Sequence, residues 1–245
     1  DFEVKLDSPA LRIGFQPFDL SLVGLYGEPE WVDKPARIPR DPFTPPQPPQ
    51  PTTVADDFEA TPIGNPAVGA HAQEELAEAR ILVTDETAAS GTHSLKFTDA
   101  PGQQYAFNPH LIYSPHLRQG VVVGSFALRV EPGALVYHEW RDSANPYRVG
   151  PSITIDGTGA LTSRGNPVIQ LPLSQWVRFE IECALGKAAT GTFAMTVTLP
   201  QQAPQRFENL PCGTPAFRRL DWCGFVSNAQ ESVVFYLDDV NIKTK

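Results

Sequence analysis

The chain is poor in the groups that most often announce a chemistry. Its 245 residues include three cysteines, one methionine and five histidines, and only 19% are charged. No Cys-x-x-Cys occurs, which excludes a zinc ribbon and a thioredoxin-type dithiol. Gly-x-Ser-x-Gly, His-Glu-x-x-His and Gly-x-x-x-x-Gly-Lys are also missing, so there is no nucleophile elbow, zinc-protease helix or phosphate cradle. Lys plus Arg is 19 against 28 Asp plus Glu, a net charge of −9 without a basic cluster. Nucleic acid, whose backbone needs several cations on one face, is thereby excluded as a partner. No apolar run approaches the roughly 18 residues of a membrane span. The chain starts at Asp1 with neither Met nor a basic-then-apolar leader, which reads as a mature, trimmed or excised piece.

Proline, by contrast, is abundant, with 25 residues beside 18 glycines, so long helices are not expected. Six of the eleven residues from Asp41 to Pro51 are proline (DPFTPPQPPQP). Proline fixes φ and donates no backbone hydrogen bond, so residues 41–53 read as a semi-rigid extended linker. An irregular strap packed on its own domain is the alternative.

Beyond the linker the period is two. Val177, Phe179, Ile181 and Cys183 alternate with polar neighbours, as do Phe193, Met195, Val197 and Leu199 with threonines and Ala194. Ser125–Val130, Ala134–Trp140, Val149–Ile155 and Val233–Ile242 share that character. Asp156-Gly157-Thr158-Gly159 reads as a hairpin turn. Only Gln73–Arg80 has a helical look. Many short strands with Gly/Pro turns predict an all-β antiparallel sandwich over residues 54–245. The first forty residues are too few for a core, yet carry Phe15, Phe18, Leu20, Leu22 and Leu25.

Two resemblances attach to these segments. Asp7-Ser8-Pro9-Ala10-Leu11, Gly14-Phe15 and Pro17-Phe18-Asp19 resemble the closing segment of right-handed parallel β-helix proteins, many of them polysaccharide lyases or glycoside hydrolases. That resemblance implies that residues 1–40 are the tail of an upstream β-helix domain. Asp56-Asp57-Phe58-Glu59, Ser90-Gly91-Thr92-His93-Ser94-Leu95-Lys96-Phe97 and Phe235-Tyr236-Leu237-Asp238-Asp239-Val240 resemble a concanavalin A-like or carbohydrate-binding jelly roll, with first and last strands side by side. It implies a structural Ca²⁺ held by Glu59 and Asp239, then Asp57 and Asp238, with carbonyls from the Ser90–His93 loop. A solvated acidic edge is the alternative.

Tyr137-His138-Glu139-Trp140-Arg141-Asp142, followed by Asn145, Tyr147 and Arg148, gathers the residue types that hold sugars. Aromatic faces take a pyranose, and forked polar groups bind its hydroxyls. Trp140, Tyr147, His138, Arg141 and Glu139 are therefore the candidate ligand contacts. Alternation puts His138 and Trp140 on one face and Glu139 and Arg141 on the other, and one set alone can line a site. The alternative is a core Trp140 beside a local Glu139–Arg141 ion pair.

Catalytic residues are not assigned. Jelly-roll glucanases of the laminarinase type carry Glu-x-Asp-x-x-Glu on one strand; here Arg141 stands two places after Glu139, and Glu180-Ile181-Glu182 lacks a third acid. The spacing match at Glu28, Glu30 and Asp33 lies among prolines. Tyr137, His138 and Arg141 could serve a lyase. His110 and His116, six apart in NPHLIYSPH, are a weak zinc signal. A Cys183–Cys212 disulfide with Cys223 as a buried thiol suits an exported protein, and three reduced cysteines are the alternative. The reading is thus a monomeric, non-catalytic polysaccharide-binding module of a larger extracellular or periplasmic bacterial protein. Its alternatives are a hydrolase or lyase acting on the sandwich's concave face, or a structural accessory domain.

Overall fold

The computed structural model describes residues 4–17, 23–39 and 42–245. Phe18, Asp19, Leu20, Leu22 and Asp41 lie outside the described residues. Two compact units emerge, Asp1–Pro48 and Pro49–Lys245, and their boundary falls inside the proline run. The first holds two short helices and, among the described residues, no strand. Helix α1, Pro9–Arg12, starts at Ser8, whose hydroxyl accepts from the Ala10 amide. Helix α2, Pro29–Arg37, carries Glu30 and Asp33 along with an exposed Trp31.

The second unit is an all-β sandwich of two antiparallel sheets. In the first sheet the order is β13 (Gln205–Pro211), β12 (Thr192–Thr198), β11 (Trp176–Leu185), β6 (Gly120–Val130), β15 (Val234–Thr244), β4 (Ser94–Thr98) and β3 (Arg80–Thr84). Strand β1, Val54–Asp56, pairs with β15, so the first and last strands are neighbours as the jelly-roll resemblance implies. The second sheet runs β10 (Asn166–Gln170), β9 (Ala160–Ser163), β8 (Val149–Ile155), β7 (Val136–Arg141), β14 (Trp222–Ser227), β5 (His110–Tyr113) and β2 (His71–Gln73).

Alternation decides what meets between the sheets. Val177, Phe179, Ile181 and Cys183 of β11 are buried, while Arg178 and Glu180 face out. Phe126 stacks on its register partner Phe179 and meets Phe225 of the opposite sheet edge-on at 5.0 Å. The turn between β8 and β9 is the expected one: Asp156 accepts from the Thr158 and Ala160 amides, and Gly159 takes φ +85°.

The helix expected over Gln73–Arg80 does not form. Gln73 ends β2 and Arg80 begins β3. Between them the Glu74 carboxylate accepts from the Ile81 amide at 2.6 Å and pairs with Arg80 at 2.8 Å. Carboxylates that bond backbone amides over a distance favour a loop over a helical turn.

Candidate functional site

The outward face of the second sheet collects the polar and aromatic side chains. Register places His110, Val226, Tyr137 and Thr154 in one row across β5, β14, β7 and β8. A second row holds His71, Ile112, Gly224, Glu139 and Ser152. Trp222 and Arg141 pair in a third. Neighbouring strands stand about 4.8 Å apart, so each row spans several sugar-sized contacts.

Arg141 organises one end. Its guanidinium lies 4.1 Å from the Trp222 ring centroid and 4.6 Å from that of Tyr147, and its Nε donates to Glu139. Among the described residues its terminal nitrogens have no hydrogen-bond partner, leaving a planar fork for a ligand oxygen pair. Glu139 is braced by the Ser152 hydroxyl at 3.3 Å. Tyr147 is half-exposed on a loop tied down by two buried carboxylates. Asp142 accepts from the Arg148 amide at 2.7 Å and from the Ala144 amide, and Asp221 accepts from the Ser143 amide and hydroxyl.

The other end is built from the segment before β5. Tyr105 and Phe107 stack at 5.1 Å, Phe107 meets His110 edge-on, and His110 sits 6.5 Å from Trp222. Glu75 holds this segment by accepting from the Gln104 amide at 2.7 Å and from Asn108 Nδ2 at 2.6 Å. An aromatic path thus runs from Tyr105 to Tyr147 with one imidazole and one guanidinium on it. Burial first, then the charges of Arg141 and His71, pull the His110 pKa below the ordinary histidine value.

This arrangement corrects two sequence assignments. His138 and Trp140 take the inward side of β7 and are fully buried, so neither can touch a ligand. Trp140 donates to His138 Nε2 at 3.1 Å, and His138 Nδ1 bonds the Gly224 carbonyl at 3.0 Å. Gly124 makes room: a Cβ there would lie 2.6 Å from the indole. Arg141, Glu139 and Tyr147 stay on the surface, with Glu139 and Arg141 as the ion pair the sequence offered as its alternative. Trp222 was missed as a contact, and His110 was read only as a weak zinc signal with His116. Each shares its short strand with a second, inward-facing aromatic residue, Phe225 or Tyr113, and only cross-strand register brings it to the β7 cluster.

Of the four acids assigned to calcium, Glu59, Asp238 and Asp239 all bond the Ala89–His93 loop, and Asp57 lies next to Asp239 in one depression. Among the described residues no three acidic, His or Cys groups form a metal-ligand cluster. Glu59 turns both oxygens onto the loop, accepting from the Thr92 amide and hydroxyl and the His93 amide, which lowers its pKa. Asp238 is buried and accepts from the Ala89, Ser90 and Asp239 amides; its pKa rises to about 6, chiefly by burial. Asp239 accepts from the Ser90 hydroxyl and pairs with Arg178 at 2.9 Å. Asp57 accepts from the Glu59 amide. In this structure the loop satisfies these acids with N–H and O–H donors.

Cys183 and Cys212 are neighbours, but as free buried thiols, and Cys223 is the third. A hydrogen bond to Cys212, together with burial, keeps the Cys183 thiol protonated. The Cys183 sulfur also lies near the Ala184 and Thr192 carbonyls, at 3.8 and 3.9 Å.

No family model matches the chain, and no curated protein matches it. Solved structures of similar fold do exist. An endo-β-1,4-glucuronan lyase from the fungus Trichoderma reesei superposes with a TM-score of 0.53 at 12% identity, over 78% of this chain and 95% of that one. Cellulose induced protein Cip1 superposes with 0.53 at 14% identity, over 78% and 97%. Both likenesses establish the jelly-roll sandwich.

Proposed function

We propose that the outward face of the second sheet binds a polysaccharide, with Trp222, Arg141 and Tyr147 as the platform and Glu139, Tyr137, His110 and Ser152 beside it. The observation that carries this is the Arg141 guanidinium held against two aromatic rings with its fork unspent. Flat aromatic surface with directional polar groups at its rim is what a hydrated, face-amphipathic pyranose requires. The two solved structures of similar fold carry glucuronan and cellulose in their names, which supports a glycan over other ligands. In this reading the sandwich is a monomeric module of an extracellular or periplasmic polysaccharide-active protein, and residues 1–40 belong to a domain upstream.

The test is titration with acidic and neutral oligosaccharides followed by tryptophan fluorescence. Saturable quenching is expected, with affinity weakened about two- to tenfold in Trp222→Ala, since one aromatic contact is worth roughly 0.5–1.5 kcal/mol. No response to any glycan, or an unaffected Trp222→Ala, would overturn the reading.

A further inference from the structure

We propose that His110 is the general base of a β-elimination on uronate-containing glycans, with Asn108 and Glu75 as the positioning residues that fix its tautomer. The proposal rests on the glycan-binding reading and adds a reaction to it. His110 Nδ1 lies 2.7 Å from Asn108 Oδ1 and 3.1 Å from the Phe107 carbonyl oxygen. Both are acceptors, so Nδ1 carries the ring proton and the lone pair is left on Nε2. The amide orientation is not arbitrary. Asn108 Nδ2 donates to Glu75 Oε1 at 2.6 Å, and that alone turns Oδ1 toward the imidazole. Asn108 is buried, its backbone carbonyl accepts from Gln103 Nε2, and the second Glu75 oxygen is held by the Gln104 amide. A carboxylate, an amide and an imidazole therefore stand in series behind one nitrogen that has no partner among the described residues.

The surroundings match proton abstraction from carbon. His110 and Arg141 both lie against the Trp222 indole. Burial, with the Arg141 cation adding to it, lowers the His110 pKa, Glu75 stands behind Asn108, and the imidazole is neutral at neutral pH. A C–H beside a carboxylate becomes abstractable when a cation draws off the charge that builds on that carboxylate, and the Arg141 fork is the cation present. The step balances without a co-reactant. Nε2 takes the C5 proton of a uronate whose carboxylate pairs with Arg141. The C5–H electron pair becomes the C4=C5 double bond, and the C4–O glycosidic bond breaks with its pair on oxygen. That oxygen takes a proton from water, and His110 later returns its proton to solvent.

The test incubates the full chain with a panel of polyuronates (glucuronan, alginate, polygalacturonate), following the ultraviolet absorbance of the new conjugated double bond and, separately, binding. The intact protein is expected to generate the absorbance on one of them. His110→Gln should lose at least 100-fold in kcat, far more than any accompanying rise in KM. Glu75→Gln should lower kcat with KM unchanged and move the ¹⁵N shifts of the His110 ring toward a mixture of tautomers. Binding of a polyuronate without any double bond overturns the elimination and leaves the glycan-binding reading intact. A His110→Gln variant with full rate overturns the base assignment, and failure to bind any glycan overturns both readings.

Discussion

Trp222 lies flat over Gly224, so closely that a Cβ at position 224 would stand 1.9 Å from the indole. The glycine leaves a bare patch on β14 between Ile112 and Glu139, and the ring fills it. Gly224→Ala should therefore lift the indole off the sheet and away from Arg141. We expect the glycan-induced fluorescence change to be lost, with a stability cost of roughly 1–3 kcal/mol for the overpacking. Retained binding with normal fluorescence would show that the ring's resting place is irrelevant to the site.

Acid should destabilise the sandwich through His138. Complete burial pulls its pKa down from 6.5 to about 3, so the fold tolerates only the neutral ring. The unfolded chain takes up the proton first as pH drops; the stabilisation is present above pH 6.5 and is lost progressively toward 3. At about 1.4 kcal/mol per pH unit, several kcal/mol are at stake. His138→Phe should flatten the fall in Tm between pH 6.5 and 4. At pH 7 it should cost about 1–3 kcal/mol, because the Trp140 N–H loses its acceptor. An unchanged acid limb in the variant would contradict this.

Calcium should leave the thermal midpoint where it is. Glu59 already accepts from the Thr92 and His93 amides, and Asp239 is engaged by Ser90 and Arg178. Addition of the ion or of a chelator is expected to give superimposable melting curves, whereas Glu59→Ala should lower Tm by releasing the Ser90–His93 loop. A clear rise of Tm with calcium would reinstate the ion as a brace.

Thiol counting checks the cysteines. All three are buried and unbonded, so a thiol reagent should find none in the native protein and three after denaturation without reductant. Recovery of a single thiol on denaturation would mean that Cys183 and Cys212 are bridged.

The sandwich was legible because burial writes itself as alternation. Val177–Cys183 and Val149–Ile155 are read directly from period two, and the Asp156 turn from its glycines. The site was legible only in part. Strand β7 shows the same alternation, which separates Arg141 from Trp140, yet period alone does not say which set faces inward. The answer depends on Gly124 in β6, a residue far away in sequence that vacates the space for the indole. His110 needed Glu75 as well, 33 residues before the Asn108 that stands two places ahead of the histidine, and the two form no motif with it. Gln73–Arg80 failed for a related reason: helical-looking glutamates are spent on loop amides.

The pairing of Val54 with Ile242 carries an architectural consequence. Antiparallel partners sit about 5 Å apart, so the polypeptide enters and leaves this sandwich almost at the same point. Such a domain can be grafted into a surface loop of an unrelated host, or re-cut to start at another hairpin, without stretching either end.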